Sequence, residues 1–398
     1  MIPSLRQKFN ASFTQEKYQD YLSIIEKSFP NSLDFRIAET PIFIDTAFTV
    51  TMLELGNYVN QQILGADYKK NTAPSLANQP FSPNETAYPN CIVMDFAIAL
   101  DEKNNFVPKL IELQGFPSLF AFEVLQEQAL ANTYHLPDDF SPFLNGYSQA
   151  SYLAHLKKVI LGTKGEHTVL LELFPHQQKT RIDFYCTEKY LGIPIVCITE
   201  LIQKGRELFY ISNGSPIKIE RIYNRVVMDE LKKQSNDIQE KGKILLSDLE
   251  VSWVTHPNHF YRISKFLLPF LNHPHIPKTQ FVQELKSIPE NLKDYILKPL
   301  FSFAGQGVII DIQPGDIETL KKSKQWILQE KVQYAECIET PSGPAKAEIR
   351  LFYFWDETKQ AYIATLNLAR LSKGKMIGVD FNKNKQWVGG SLAYFEKL

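Results

Sequence analysis

At 398 residues the chain is too long for one simple core, and two or three lobes are expected. Lys plus Arg number 43 against 44 for Asp plus Glu, a net charge of -1, which leaves no basic excess for a dedicated nucleic-acid surface. A composition 44% hydrophobic and 22% charged is ordinary for a soluble globular protein.

No run is long and apolar enough to span a bilayer, and residues 1–20 lack the apolar segment of a signal peptide. A cytoplasmic protein is therefore expected, and the N-x-S/T matches at Asn10, Asn84 and Asn213 carry little meaning. Cys91, Cys186, Cys197 and Cys337 are scattered and form no CxxC pair. They read as buried apolar residues in a reducing compartment, not as a disulfide or zinc framework.

In chain order, residues 15–29 have helical spacing and end at Pro30-Asn31-Ser32, and 43–64 repeat the pattern. Residues 68–90 are polar and proline-containing and read as a loop or extended connection. Then 92–100 and 106–113 read as two strands around a polar turn at 101–105, with Pro108 near the start of the second or on an edge. Glu112 and Gln114 lie two apart and share a strand face, with Asp95 on the neighbouring strand. These are either solvated charges on an amphipathic hairpin or a hard-oxygen set suited to Mg²⁺. Gly115-Phe-Pro-Ser118 breaks the strand before a helical run at 119–130.

Further on, strands at 169–173, 193–198, 208–211 and 219–223 are interleaved with helical stretches at 183–190 and 199–204. The first helix stops at Gly192, and 232–243 is a charged, solvated helix face. The alternation predicts a small α/β layer with a parallel sheet. A strand ending at 253–258 feeds a helix holding Lys265. His256, His259, His273 and His275 are close in sequence, but the prolines among them and the lack of one helical face argue against a metal site.

Residues 295–311 read as two strand-like runs joined by a loop with Ser302, Gly305 and Gly307, the first run ending on Lys298. Glycine there lets backbone N–H groups approach an anion, and a lysine adds a point charge. The alternative is a surface hairpin with one exposed lysine. Strands follow at 326–332, at 351–355 introduced by Glu348-Ile-Arg350, and at 362–366, before Arg370 and Lys373.

The order Lys265, Lys298 with Ser302-Phe-Ala-Gly-Gln-Gly307, Leu328-Gln-Glu-Lys-Val332, then Glu348-Ile-Arg350 resembles the ATP-grasp superfamily. The acidic residue and Glu-x-Asn pair that normally follow are absent downstream. Their counterparts stand upstream, as Asp95 in Met94-Asp-Phe96 and as Glu112-Leu-Gln114. That order is similar to circularly permuted ATP-grasp enzymes of the glutathionylspermidine synthetase type, and 35–43 and Ile222-Tyr-Asn-Arg225 also resemble segments of that group.

The resemblance implies an α/β (α+β) ATP-grasp fold, circularly permuted. Residues 1–145 would supply a helical region and the metal-ligand strands, 146–262 a small parallel α/β pre-grasp domain, and 263–398 the nucleotide-binding lobes. It implies ATP and Mg²⁺ as cofactors. Lys265, Lys298, Ser302, Gly305 and Gly307 would hold phosphates. Gln329 and the Glu330-to-Val332 backbone would line adenine, and Glu336 would meet ribose. Asp95, Glu112 and Gln114 would hold the metal, with Gln114 standing where the family has Asn. Arg350 and Arg370 would stabilise transferring charge, and Asn224 and Arg225 would face a substrate carboxylate.

The implied activity is ATP-dependent joining of a small-molecule or peptide carboxylate to an amine, or to a thiol, through an acyl phosphate. The alternatives are a nucleotide-binding or structural protein without turnover and an ATP-dependent small-molecule kinase. The Asp95–Glu112 hairpin is expected in one sheet with the strands carrying Arg350 and Thr365. Glu112→Ala is expected to keep the fold, because surface substitutions on a sheet edge usually cost within about 0.5 kcal/mol.

Overall fold

A computed structural model describes residues 1–302, 305–375, 377 and 382–397. Its centre is a five-stranded antiparallel sheet in the order Gly389–Ser391, Ala361–Ser372, Lys346–Asp356, Cys91–Leu100, Phe106–Gln114. The two halves of the sheet come from opposite ends of the chain. Asp95 pairs with Arg350 on one side and with Glu112 on the other, so the expected juxtaposition of the two hairpins is found.

Alternation along these strands explains the layers. Ile92, Met94, Phe96 and Ile98 face a core shared with Phe48, Met52, Leu55, Val59 and Ile63 of helix Thr46–Leu64. That helix is started by Asp45, whose carboxylate accepts from Phe48 N at 2.9 Å. The opposite face carries Cys91, Val93, Phe352, Phe354, Leu366 and Leu368, packed with residues of helices Gln15–Ser28, Phe122–Thr133 and Gln149–Leu161. Farther along that face, Asp95, Glu112, Glu348, Arg350 and Arg370 replace the apolar residues. One sheet face is therefore core at one end and charged at the other.

Two further sheets frame the charged end. Thr279–Phe281, Trp326–Glu330 and Tyr295–Pro299 form a three-stranded antiparallel sheet with Trp326–Glu330 central. A bridge between Leu297 and Ile309 completes the expected hairpin; Phe303 and Ala304 of its loop lie outside the described residues. A parallel sheet runs in the order Ser252–Val254, Arg221–Asn224, Thr168–Glu172, Ile195–Cys197. Helix Arg181–Leu191 ends at Gly192, whose φ of 73° is the left-handed cap that glycine adopts without strain.

Three local expectations are corrected. Residues 199–204, expected helical, form the end of a 3₁₀ turn and the strand Ile202–Lys204, which pairs with Glu207–Ser212; cross-strand pairing overrides the local pattern. The helix expected from residue 43 begins at Thr46, because Ile42–Ile44 is a strand paired with Ala393–Glu396. Lys265 opens a 3₁₀ turn, Lys265–Phe270, and not a full helix, with Pro269 inside it. Among the described residues no helix is long and apolar enough to cross a membrane.

The segment at 69–86 is tied to the turn at 256–262 by buried polar contacts: Arg262 to Glu85 at 2.8 Å, Asn258 to Ser82, and His256 Nε2 to the Pro83 carbonyl at 2.8 Å. Burial pushes the His256 imidazole down to about 4 and His259 well below its usual value. Both are neutral in the fold but titrate near 6.5 when unfolded, so between those values the unfolded chain binds more protons and stability falls with falling pH. Urea unfolding is expected to show this loss between pH 6.5 and 4, with His256 contributing a slope of up to ~1.4 kcal/mol per pH unit. In His256→Gln that contribution should disappear; an unchanged pH dependence would show that His256 is not held neutral.

Candidate nucleotide and metal site

A β-bulge shapes the charged end of the central sheet. Asp95 pairs with Glu112 but Phe96 pairs with Leu110, leaving Ile111 unpaired in the ladder. The Ile111 carbonyl accepts from Lys298 Nζ at 3.1 Å, which joins the three-stranded sheet to the central one. Between the two sheets lies a cavity of about 170 Å³. Lys298, Gly305, Val308, Gln329 and Val332 line it from the small sheet, facing Glu112, Lys265, Glu348 and Arg370.

The acids and bases here are interlocked. Asp95 is gripped by Arg350 through two bonds, Nε to Oδ1 at 2.6 Å and Nη2 to Oδ2 at 2.7 Å. Arg370 Nη2 reaches Asp95 Oδ2 at 2.8 Å and Glu348 Oε2 at 2.7 Å, and the Tyr334 hydroxyl donates to Glu348. Lys265 Nζ pairs with Glu112 Oε1 at 2.8 Å and donates to the Ser302 carbonyl at 2.6 Å.

Burial opposes ionisation of Asp95, but Arg350 and Arg370 outweigh it and hold the carboxyl below its usual range. Burial likewise opposes ionisation of Glu112, and Lys265 and Lys298 more than offset it. For Glu348 burial prevails over Arg370 and the carboxyl is raised. Burial also lowers the Lys298 ammonium to about 8, against the pull of Glu112.

Of the other residues singled out in the sequence, Ser302 bonds its hydroxyl to the Pro299 carbonyl at 3.4 Å. Gly305 and Gly307 each have φ of 74°, a conformation that favours glycine. Gln329 is buried and donates from Nε2 to Thr279 Oγ1 at 3.0 Å. The Glu330 carboxylate turns to Lys278 N at 3.1 Å, on a groove outside the cavity. Glu336 is exposed, 3.8 Å from Lys346, and is not part of the cavity wall. Asn224 Oδ1 accepts from Val226 N at 3.1 Å. Arg225 donates to the Ser118 carbonyl at 2.9 Å and lies over Phe116 and Phe184.

Among the described residues no three His, Cys, Asp or Glu side chains are grouped to hold a metal ion. The set Asp95, Glu112 and Gln114 has two carboxylates and one amide. Glu112 and Gln114 border one crevice, and both carboxyls are held ionised. This donor chemistry fits a hard divalent cation, provided that Arg350, Arg370 and Lys265 have another anion to take.

Glu348, Tyr334 and Ser118 join this charged network without being among the residues expected from the sequence. Glu348 was legible, because it stands two residues from Arg350 on the same strand face. Ser118, whose Oγ lies 3.3 Å from Arg350 Nη1, was not, since that contact joins distant segments.

The structure also corrects the expected environment of Glu112. Its carboxylate is largely covered and pairs with a buried Lys265, so removing it leaves an uncompensated cation. The loss expected is nearer ~3 kcal/mol than ~0.5 kcal/mol. Gly115 fixes the strand end: an added Cβ would meet the His259 carbonyl oxygen at 2.5 Å and Ile263 Cβ at 2.9 Å. Gly115→Ala is expected to lower stability by about 1–3 kcal/mol in urea unfolding, and wild-type stability would show that this close approach is not maintained.

No protein-family profile matches the chain, and no curated protein sequence matches it. Among solved structures, the chain is similar to a glutathione synthetase-like effector, GSS30, from Globodera pallida in its apo form. The TM-score is 0.58 at 10% identity, covering 97% of this chain and 98% of that one. The likeness establishes a shared mixed α/β fold over essentially the whole length of both chains.

Proposed function

We propose that this chain is a circularly permuted ATP-grasp protein that uses ATP and Mg²⁺ to join a carboxylate to an amine, forming a C–N bond. The observation carrying this reading is that Lys265, Lys298, Glu112, Glu348 and Arg370 line one cleft between two sheets, with Asp95 joining Arg370 to Arg350. The full-length similarity to a glutathione synthetase-like fold supports it. The division at residues 145 and 262 belongs to the same proposal, as does a carboxylate-thiol variant of the reaction.

Mg-ATP would supply the phosphoryl group that activates the carboxylate. Asp95, Glu112 and Gln114 would hold the cation, and Lys265 and Lys298 would take phosphate oxygens. Arg350 and Arg370 would turn from Asp95 toward developing negative charge. The cavity of about 170 Å³ falls short of the roughly 300 Å³ at the lower end for drug-sized ligands. The two sheets would therefore separate to admit a nucleotide. The enclosing walls would then limit water at the reacting atoms.

An assay of ADP release with Mg-ATP and paired carboxylates and amines tests the ligase reading. Release that requires both partners is expected. Phosphate transfer to one small molecule alone would instead indicate a kinase, and nucleotide binding without turnover would indicate a non-catalytic role.

A further inference from the structure

Some contacts at the cleft cross between its walls. Lys298 on the small sheet donates to the Ile111 carbonyl at 3.1 Å, and Lys265 donates to the Ser302 carbonyl at 2.6 Å. Separation of the two sheets would break them. Other contacts stay within the central sheet. Glu348 and Arg370 stand directly opposite on neighbouring strands, and Glu348 Oε2 accepts from Arg370 Nη2 at 2.7 Å.

Tyr334 belongs with the second set. It lies just past Trp326–Glu330 of the small sheet, yet its backbone is fastened to the central one. It forms an antiparallel bridge with Ala99, and Ala335 N donates to the Ile98 carbonyl at 2.9 Å. Its hydroxyl donates to Glu348 Oε1. Both oxygens of that carboxylate are therefore taken, one by the tyrosine and one by the arginine. Glu348 is 6% exposed, and Tyr334, Glu348 and Arg370 all border the cavity.

Arg370 needs such support more than Arg350 does. Arg350 grips Asp95 through Nε and Nη2 and also reaches Ser118. Arg370 divides Nη2 between Asp95 Oδ2, at 2.8 Å, and Glu348 Oε2. Its buried Nε has no partner among the described residues. The guanidinium thus keeps donor capacity for a further oxygen. Asp95 belongs to the proposed metal set, so a bound cation would draw it away and leave Glu348 holding the arginine.

We propose that Glu348, fixed by Tyr334, is the positioning group for Arg370. The pair keeps the guanidinium at the cavity wall when the metal takes Asp95, where it can meet the terminal phosphoryl group of the nucleotide. This rests on the nucleotide-dependent ligase reading, and it gives neither Tyr334 nor Glu348 a nucleotide contact of its own.

The test is calorimetric titration of Mg-ATP and of Mg-ADP into the wild type, Tyr334→Phe and Glu348→Asp. Both substitutions preserve the net charge of the cleft. The first frees the carboxylate from its hydroxyl, and the second draws the carboxylate back from Arg370 by a methylene. The wild type is expected to bind Mg-ATP about tenfold more tightly than Mg-ADP, the increment of one charge-assisted hydrogen bond. Each variant should reduce that ratio about threefold or more, with Mg-ADP affinity at the wild-type value, which also shows that the variant is folded. An equal loss of both affinities would put Tyr334 and Glu348 against the ribose or the inner phosphates. An unchanged ratio in either variant would mean that Arg370 is placed without that residue. Each of these results overturns the inference, as does equal affinity of the wild type for the two nucleotides. Absence of binding by either nucleotide in the wild type overturns the nucleotide reading itself.

Discussion

Lys298→Ala is expected to weaken Mg-ATP binding at least tenfold while leaving the unliganded protein close to its original melting temperature. The ammonium makes one hydrogen bond, to the bulge carbonyl of Ile111, and its burial makes the charged form unfavourable. A phosphate oxygen would turn that same ammonium into one member of a charge-assisted bond, a type of contact contributing about 1.5–3 kcal/mol. Because burial lowers the Lys298 ammonium to about 8, a bound phosphate would have to keep it protonated above that pH. Affinity should therefore decline as pH rises beyond 8, and calorimetry in buffers of different ionisation enthalpy should record proton uptake. Wild-type affinity in Lys298→Ala would remove this lysine from the phosphate site.

Glu112 gives the second large effect. Glu112→Ala should lose ADP release and also lose about 3 kcal/mol of stability, since Lys265 is left buried without its partner. Glu112→Gln keeps a hydrogen-bond acceptor for Lys265 and separates the two consequences. It should fold and retain part of the nucleotide affinity, with turnover reduced by at least a hundredfold. Gln114→Asn should keep activity, because it places the shorter amide where the resembling family has one. Turnover of Glu112→Gln at the wild-type rate would show that Glu112 is not a metal ligand.

The central hairpin was legible because period-2 alternation, a polar turn and the Glu112–Gln114 spacing all specify one face of one strand pair. Its union with Lys346–Asp356 was legible only through the resemblance in motif order, since no local signal couples positions more than two hundred residues apart. The bulge at Ile111 was not readable, because one unpaired residue leaves the hydrophobic pattern almost unchanged. Nor was the mutual locking of Asp95 with Arg350 and Arg370, which depends on cross-strand register. Glu336 shows the converse limit: motif position named it, but its carboxylate lies 3.8 Å from Lys346 and is not part of the cavity wall.

The interlocked charges explain why the proposed cofactors should bind together. Lys265, Arg350 and Arg370 are each held by a carboxylate, and two of those carboxylates, Glu112 and Asp95, belong to the proposed metal set. A bound phosphate would release the carboxylates, and a divalent cation would compensate them. Calorimetric titration of ATP into the wild-type protein, with Mg²⁺ and with EDTA, is the most direct measurement. One saturable site with Mg²⁺ and a much weaker one with EDTA is the result predicted here; no heat and no thermal shift at saturating Mg-ATP would contradict the nucleotide site on which the account rests.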